Sequence, residues 1–510
     1  MALIEAMSRQ ANGYVVAAAL LFILVYGYRQ LLLAKVDPRE PPVLKPRTPF
    51  IGHIIGLLKH QHSYYKILFK NASAPICTLP MLNGKGYVIT DPELTLAAFR
   101  SRNLSLGPLI SEMIHRITGL PDSCMEIYNS AAFHTQWNKI VHSTLTGEQL
   151  RIINVAGLRD LARTLNAVPP QGLDVADLYL WTRSTMTMAT TSALYGDENP
   201  WKKDPSLMEE YWGFESYMLA IIANVLPNVV APKAIKSRNR LRAGFKRYFS
   251  ASGDQSPSTH SFMKQRGNLE RSSGLTDDDM AALEVVVVHG ALSNTIPTSF
   301  WFLVHVFSCP DLVQSLREEL QHIVRLGDGP REMVIDITRM EERCPLLVSS
   351  FRESHRLSSV GTSIRRVMQD TVLSDGKRSY LLREGCFVHV PMSVIHVATE
   401  SWGADAESFS GPRFLNLSEE SKQQKRVYFP FGGGRHACPG RHFASAESWG
   451  FLVILLMGFE VTGVDGGPIR VPEPKLPNMT TSIWRPLAGE DTRAKITRRQ
   501  GWEDVVWKIL

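Results

Sequence analysis

Cys438 stands in a glycine-rich stretch, and this combination could hold an iron atom through a thiolate. Residues 431–440 read FGGGRHACPG. The three glycines have no Cβ, so the backbone can turn tightly and approach a flat cofactor closely. Phe431 could pack beside the sulfur and keep water away. Pro439 suits the start of the apolar helix that follows, and the N-terminus of that helix favours a negative charge. The stretch therefore predicts a thiolate ligand at the start of a helix.

This stretch resembles the haem-binding loop of the cytochrome P450 family, in a microsomal, fungal-type form. Phe431, Gly434, Cys438 and Gly440 fall where that family has Phe, Gly, the axial cysteine and Gly. The resemblance implies a thiolate-ligated haem b, iron protoporphyrin IX, with Cys438 as the axial iron ligand. A buried structural cysteine is the plainer interpretation of a lone cysteine. Three further motifs of the family occur upstream in the right order and favour the haem ligand.

A long apolar helix is predicted over Met280–Phe307, after a capping threonine and three acids. Pro297 lacks the N–H that would bond the carbonyl of Ser293, so the helix should open or kink there. An opened turn beside Asn294 and Thr295 would place polar groups in an apolar wall.

The opened turn resembles the oxygen-activating motif of the same family, Ala-Gly-x-Asp/Glu-Thr. Ala291 and Thr295 match, while Leu292 replaces the glycine and Asn294 replaces the acid. In the family the acid and the threonine pass protons to dioxygen, so the resemblance makes Asn294 and Thr295 the candidate catalytic residues. The variant is similar to the branch of cholesterol 7α-hydroxylase, a sterol monooxygenase, and prostacyclin synthase, an endoperoxide isomerase that needs no reductase.

The asparagine leaves two interpretations open. Asn294 cannot relay protons as a carboxylate does, but it can hydrogen-bond a substrate oxygen or hold a water molecule. Alternatively, Asn294 and Thr295 only satisfy the backbone at the kink.

Three charged residues resemble the scaffold of the family. Glu353 and Arg356 match its Glu-x-x-Arg motif, and their spacing places both side chains on one face of a helix. Arg413 lies in a segment similar to Pro-x-Arg-Phe, with Gly411 in place of the proline. The resemblance implies that Glu353, Arg356 and Arg413 form a buried triad.

The resemblance also indicates partners for the haem propionates. Arg366 aligns with a propionate arginine of the family, and His436 occupies another such position, with Arg435 as its near alternative. Trp137 begins a Trp-x-x-x-Arg pattern whose arginine is replaced by valine, with His142 next to it. Each of these could also be an ordinary surface or core residue.

Composition limits the class of protein. The chain has 510 residues, a formal net charge of +7 and 44% hydrophobic residues. Its six cysteines are scattered without a CxxC pair, which favours reduced thiols on the cytosolic side over disulfides or a zinc site. The mild positive charge suits a membrane surface or an acidic redox partner and gives no reason to expect nucleic acid.

The N-terminus predicts a membrane anchor. Residues 13–28 carry no charge and are followed by several cations, and a spanning helix needs about 20 mostly apolar residues. The charge bias predicts a single-pass anchor in the endoplasmic reticulum, with the catalytic domain facing the cytosol. A cleaved signal peptide is the alternative. We therefore divide the chain into an anchor, a proline-rich hinge and a catalytic domain, 1–35, 36–50 and 51–510.

The fold class expected is mainly α with a smaller β part: the cytochrome P450 fold preceded by one transmembrane helix. Short strands are predicted near Ile76–Leu79, Gly86–Thr90 and Phe387–Val390. The segment Ser250–Leu275, rich in serine, glycine and charge, is predicted to be an exposed loop.

The function implied is a monooxygenase that uses O2 and electrons from NADPH-cytochrome P450 reductase. Mostly apolar segments at the family's substrate-contacting positions, among them Met479–Ile483, indicate a hydrophobic small molecule: a terpenoid, a sterol or a polyketide-like secondary metabolite. Asn294 keeps open a reductase-independent isomerase or dehydratase acting on a pre-oxidised or peroxide substrate. A non-enzymatic haem sensor is a further alternative.

Overall fold

Helices make up most of the protein. Its structure, a computed structural model, describes residues 18–26, 37–46, 52–70, 74–81, 84–329, 331–338, 340–415, 426–475, 479–487 and 492–510. In chain order the α-helices are α1 (18–26), α2 (Ile54–His60), α3 (Tyr64–Phe69), α4 (Pro92–Arg100), α5 (Gly107–Thr118), α6 (Asp122–Asn129), α7 (Ala131–Thr144), α8 (Gly147–Asn166), α9 (Leu178–Tyr195), α10 (Pro200–Lys203), α11 (Ser206–Ser216), α12 (Met218–Ala223), α13 (Pro227–Val230), α14 (Pro232–Ser250), α15 (Ser261–Ser272), α16 (Asp277–Leu292), α17 (Thr295–Phe307), α18 (Pro310–Leu320), α19 (Met340–Arg343), α20 (Pro345–Ser358), α21 (Met392–Ile395), α22 (Thr399–Trp402) and α23 (Arg441–Gly458).

The strands are short and form a minor part, as expected. They are β1 (Ile76–Met81), β2 (Gly84–Ile89), β3 (Leu104–Ser105), β4 (Leu173–Val175), β5 (Val324–Leu326), β6 (Glu332–Ile335), β7 (Thr362–Val367), β8 (Thr371–Ser374), β9 (Ser379–Leu382), β10 (Phe387–Pro391), β11 (Phe459–Gly463), β12 (Pro474–Lys475), β13 (Arg485–Pro486), β14 (Ala494–Arg498) and β15 (Val506–Ile509). The three predicted strands are confirmed as β1, β2 and β10.

The chain divides into two compact units. The first comprises residues up to Leu106 and the segment Ser363–Pro391. Its main sheet has five strands in the order β1-β2-β10-β7-β3. Strands β1 and β2 pair antiparallel, with Ile76 opposite Ile89, and β10 pairs parallel with β2. Apolar residues alternate with polar ones only weakly in β1 and β2, because most of their side chains are buried.

The second unit, Gly107–Thr362 and Met392–Leu510, is helical around one apolar core. Every residue of α17 is buried, and Phe451–Leu456 of α23 are completely buried. The hydroxyl groups of Ser299 on α17 and Ser448 on α23 are hydrogen-bonded at 2.9 Å. This contact holds α17 against the helix that begins just after Cys438.

The predicted opening of the long helix is confirmed. Helix α16 ends at Leu292 and α17 begins at Thr295, so the break falls at Ser293 and Asn294. Pro297 has no N–H to return a bond to the Ser293 carbonyl, which leaves this turn unsupported. The predicted start is also seen, because Thr276 and the third acid, Asp279, form a reciprocal capping box.

The prediction of an exposed loop over Ser250–Leu275 is wrong. The segment contains the 12-residue helix α15, and Arg266 inside this helix is completely buried. Arg266 pairs with Glu270 and with Glu284 of α16, while Arg271 binds Asp254 at 2.7 Å. The polar composition of the segment does not make it an exposed loop, because these charged side chains pair with one another. A paired charge can be buried.

Most of the predicted anchor, 1–35, lies outside the described residues. Within it the structure describes 18–26 as a helix whose apolar side chains are exposed, with Leu24 at 69% exposure. Among the described residues, one helical run is long and apolar enough to cross a membrane, Asp277–Phe307. Two-thirds of its most apolar window is buried in the protein, as in the core helix of a globular domain.

Candidate functional site

The loop that carries Cys438 is closed by its own backbone. The N–H of Cys438 donates to the carbonyl of Phe431 at 2.9 Å, and the N–H of Gly432 donates to that of Phe429 at 2.8 Å. Gly432 and Gly434 have φ angles of +71° and +63°, in the region that disfavours residues with a Cβ. Two glycines therefore turn the chain back so that Cys438 faces the residues before it.

The surroundings of the Cys438 sulfur act in opposite directions on the pKa of its thiol. Burial raises the pKa of the thiol, while the backbone N–H of Gly440 and the charge of Arg441 lower it. Helix α23 begins at Arg441, so its N-terminus lies directly behind the sulfur. A metal cation at the sulfur would supply the charge that a buried thiolate needs, and the N–H would then stabilise the ligand.

The ring of Phe431 packs against the ring of His355. The two rings meet edge to face with centroids 4.6 Å apart. His355 lies on α20 between Glu353 and Arg356 and is buried, and burial lowers its pKa to about 3. A neutral imidazole thus packs on the aromatic ring that begins the cysteine loop.

The three predicted triad residues lie together. The guanidinium of Arg356 binds both carboxylate oxygens of Glu353, at 2.7 and 2.8 Å, and Nε of Arg413 binds Oε1 of Glu353 at 2.7 Å. Glu353 and Arg356 are completely buried. The ring of Trp402 lies 4.6 Å from the guanidinium carbon of Arg356, and Asp405 binds Arg413 from the exposed side.

The triad is connected to the cysteine loop through His396. Arg356 donates to the backbone carbonyl of His396, and the N–H of Phe429 donates to Nε2 of His396 at 3.1 Å. The carbonyl of Phe429 in turn accepts the bond from Gly432. An unbroken series of hydrogen bonds therefore runs from Glu353 to the turn that presents Cys438.

Helix α16 is half buried, and near its C-terminal end one face is accessible. Val286, Val287, Gly290 and Ala291 lie on this face and lead to Asn294. Gly290 is exposed, and a Cβ added to it would meet no atom within 4 Å. The second unit therefore has an apolar opening beside the candidate catalytic pair.

The side chain of Asn294 is engaged on both sides. Its Oδ1 accepts a hydrogen bond from the backbone N–H of Ser482 at 2.8 Å, and its Nδ2 donates to Oγ of Ser293 at 3.3 Å. Its backbone carbonyl accepts from both the N–H and the hydroxyl of Thr298. Thr295 follows in the first turn of α17 and is buried.

Comparison with known proteins identifies the family. The family model described as Cytochrome P450 matches residues 41–483. The chain is a cytochrome P450. It is 34% identical over 505 residues to a cytochrome P450 monooxygenase of Gibberella zeae, covering 97% of this chain and 95% of that one. It is 29% identical to cytochrome P450 monooxygenase nodJ of Hypoxylon pulicicidum, covering 95% and 94% of the two chains.

The relationship to 7α-hydroxylases is also confirmed. The chain is 30% identical over 211 residues to the 25-hydroxycholesterol 7-alpha-hydroxylase of Rattus norvegicus, a match covering 39% of this chain and 51% of that one. A crystal structure of a cytochrome P450 superposes with a TM-score of 0.66 at 18% identity, over 91% of this chain and all of that one. The cytochrome P450 fold expected from the sequence is thus confirmed, whereas the transmembrane helix expected before it stays a prediction.

The cofactor of this cytochrome P450 is haem b ligated by a thiolate, and the residues present fit it. The loop offers one sulfur that needs a cation, a glycine turn that allows close approach, and the ring of Phe431 at its start. The accessible face of α16 adds apolar side chains, and the Cβ position of Gly290 on it is open. Cys438 would be the axial ligand and would favour cleavage of the O–O bond.

The other predicted cofactor residues lie in the second unit in varied settings. Nε of Arg435 donates to Nε2 of His436 at 3.1 Å, in the short 3₁₀ turn before the cysteine. Trp137 on α7 stacks on Phe133 and meets Phe262 edge to face. His142 lies five residues further on and is exposed. Their roles toward haem stay predictions.

Arg366 lies in the first unit on β7, where it is exposed and pairs in register with Ser105. Its neighbour Arg365 points to the other face of the strand, as alternation requires. Arg365 is 2% exposed, lies 5.3 Å over the ring of Phe99 and donates to Oγ of Ser363 at 2.9 Å.

Sequence reasoning did not predict the positioning contacts of three residues: Ser482, which lies in the predicted segment Met479–Ile483, His355 and His396. Each acts through a contact with a residue distant in sequence, such as the 188 positions between Asn294 and Ser482. His355 lies within the Glu-x-x-Arg motif, but nothing in the neighbouring sequence predicts that its ring contacts Phe431.

Proposed function

We propose that this cytochrome P450 inserts one oxygen atom of O2 into a hydrophobic small molecule of the terpenoid, sterol or polyketide-like class, in secondary metabolism. The accessible apolar face of α16 beside Thr295 carries the proposal. Val286, Val287 and Ala291 offer contacts for an apolar substrate, and Gly290 leaves room for one. The two fungal relatives named as monooxygenases support the reaction type.

The overall reaction is RH + O2 + NADPH + H⁺ → ROH + H2O + NADP⁺. Bound haem supplies the two-electron activation of dioxygen. We assign the chain four tasks around it. Cys438 holds the iron and Phe431 shields the sulfur from water. The hydroxyl of Thr295 would hold a proton and pass it on from solvent, and Asn294 holds the opened turn in place.

We further propose that the enzyme works at the endoplasmic reticulum membrane and takes electrons from NADPH-cytochrome P450 reductase on the cytosolic side. The exposed apolar side chains of 18–26 support an anchor within 1–35, followed by the hinge 36–50 and the catalytic domain 51–510. In the second unit, Val225, Leu226, Val229 and Val230 are all more than half exposed. Such a patch fits a lipid surface better than water.

The test is oxygen labelling with the full-length protein in membranes. Extracts of a host that lacks the gene supply candidate substrates, and reductase, NADPH and ¹⁸O2 are added. We expect one metabolite to gain one labelled oxygen atom, and the Cys438→Ser variant to form no such product. A product of unchanged mass would contradict the proposal.

Asn294 favours one second candidate, a reductase-independent isomerase or dehydratase. Both polar atoms of its amide are bonded within the protein, so it offers no exchangeable acid for dioxygen cleavage. The same incubation without NADPH and reductase separates the two. Conversion that persists without them would establish the second candidate, and conversion that needs them would exclude it.

A further inference from the structure

Several unsatisfied polar groups gather beside the accessible face of α16. We call them the Glu215 cluster, and its members are Tyr179, Tyr211, Glu215, His289 and Arg485. They come from α9, α11, α16 and β13. Within the described chain, one side-chain atom of each is buried without a hydrogen-bond partner: the two phenol oxygens, Oε2 of Glu215, Nδ1 of His289 and Nε of Arg485.

The members interact with one another. Nη2 of Arg485 binds Oε1 of Glu215, and the guanidinium carbon lies 5.6 Å from the ring of Trp212. The ring of Tyr211 meets that of Trp212 at 4.9 Å. The charges of Glu215 and Arg485 both act on His289, on Tyr179 and on Tyr211. The cluster is therefore a single polar site formed by four elements.

The cluster adjoins the candidate catalytic turn by two routes. His289 lies on the last turn of α16, five residues before Asn294 in the opened turn. Arg485 lies three residues after Ser482, whose N–H is bound by Asn294. His289 is also hydrogen-bonded to the backbone of Thr480. The same segment thus joins the cluster to the opening beside Thr295.

The charges of the cluster select the kind of group that it can bind. Burial lowers the pKa of His289 and raises the pKa values of Tyr179 and Tyr211, so these three are neutral near pH 7. The opposite charges of Glu215 and Arg485 cancel each other. A carboxylate ligand would be repelled by Glu215, and an ammonium ligand would be repelled by Arg485. A neutral group that both donates and accepts satisfies Oε2 of Glu215 and Nε of Arg485 together.

We propose that the Glu215 cluster binds a hydroxyl group of the substrate and so holds an otherwise apolar molecule in a fixed orientation beside Thr295. The inference rests on the proposed function and names the substrate class more narrowly, as a hydrophobic alcohol. Tyr211 and Glu215 act as specificity-determining residues. A site that hydrogen-bonds a hydroxyl rejects the analogue that lacks it, because its own polar groups would stay unpaired.

The test uses the purified full-length holoenzyme and two series of 1-alkylimidazoles with tails of about six to fourteen carbons. One series ends in methyl and the other in hydroxyl. The imidazole nitrogen binds the haem iron and shifts its absorption, so each titration gives a Kd without turnover. We expect one tail length at which the hydroxyl lowers the Kd about tenfold or more.

Tyr211→Phe and Glu215→Gln should remove most of that advantage, measured as the ratio of the two Kd values at each tail length. The melting temperature of ligand-free Tyr211→Phe should not fall, because the phenol oxygen has no partner to lose. The matched control is Tyr248→Phe, another buried phenol, whose neighbouring charges are Glu284, Asp254 and Arg266. It should keep the full advantage.

Two results would overturn the inference alone: binding without a hydroxyl advantage at any tail length, or an advantage that survives both Tyr211→Phe and Glu215→Gln. The second would mean that the cluster binds water only. A protein that shows no imidazole shift and no thiolate-type carbon monoxide spectrum would overturn the proposed function as well, so the two failures are distinguishable.

Discussion

The amide oxygen of Asn294 binds the backbone N–H of Ser482 at 2.8 Å. The carbonyl of Ser482 is bound in turn by the N–H groups of Val360 and Gly361, at 2.8 and 3.0 Å. The segment around Ser482 is therefore fixed on one side by the opened helix and on the other by the residues after α20. Asn294 occupies the position of the family's acid, but its geometry here is that of a tether.

Asn294→Ala should weaken this tether. We expect normal haem content and a loss of about 1 kcal/mol in the free energy of unfolding, because the N–H of Ser482 loses its acceptor. The Michaelis constant should rise more than kcat falls, since the segment that leads to Arg485 is loosened. Urea unfolding and steady-state kinetics measure both effects. Asn294→Asp keeps an acceptor oxygen and is the matched control, expected to retain the stability.

Glu353→Ala should yield protein that cannot hold haem. The change leaves Arg356 buried and unpaired, and breaking such a network costs about 3–5 kcal/mol. The loss would reach the cysteine loop through His396, whose carbonyl and ring bind Arg356 and Phe429. The haem-to-protein ratio and the carbon monoxide spectrum of the purified protein measure the effect.

Asp405→Ala removes the exposed end of the same network and serves as control. Asp405 is 61% exposed where it binds Arg413, so its loss should cost well under 1 kcal/mol. Haem binding should survive. Soluble holoprotein from Glu353→Ala, or equal damage from both variants, would contradict the role of the buried triad.

Gly432→Ala should lower haem retention more than Gly440→Ala. Gly432 has a φ of +71°, and a side chain there costs about 1–2 kcal/mol. Gly440 has a φ of −82°, and a Cβ added to it would stand at ordinary contact distance, 3.9 Å, from the sulfur of Cys438. Haem loss to apomyoglobin compares the two rates. Equal rates would mean that the turn at Gly432 does not set the position of the sulfur.

The local motifs could be predicted from sequence, whereas their long-range partners could not. The cysteine loop, the i,i+3 pair of Glu353 and Arg356, and the opening caused by Pro297 all follow from short-range geometry. The bonds from Asn294 to Ser482 and from Glu215 to Arg485 span 188 and 270 residues. No periodicity encodes such a contact. The burial of Arg266 could not be predicted for the same reason, since its partner Glu284 lies in another helix.

Glu447 should give the stability of the protein a pH dependence that Glu447→Gln removes. Its carboxyl group lies on α23 in the core, where Thr190 donates to Oε2 at 3.1 Å, and burial raises its pKa to about 8. The unfolded value is near 4.3. The folded state therefore binds a proton more tightly than the unfolded state, and stability is lost as the pH rises from about 4 to 8.

Glutamine has the same shape, accepts the same hydrogen bond and carries no charge at any pH. The difference in unfolding free energy between Glu447→Gln and the unmodified protein should grow in favour of the variant between pH 5 and pH 8, and then level off. Urea unfolding at several pH values measures this difference, in which the titration of all other groups cancels. A difference that does not change with pH would show that Glu447 keeps an ordinary pKa, and that its carboxylate is stabilised by a partner other than Thr190.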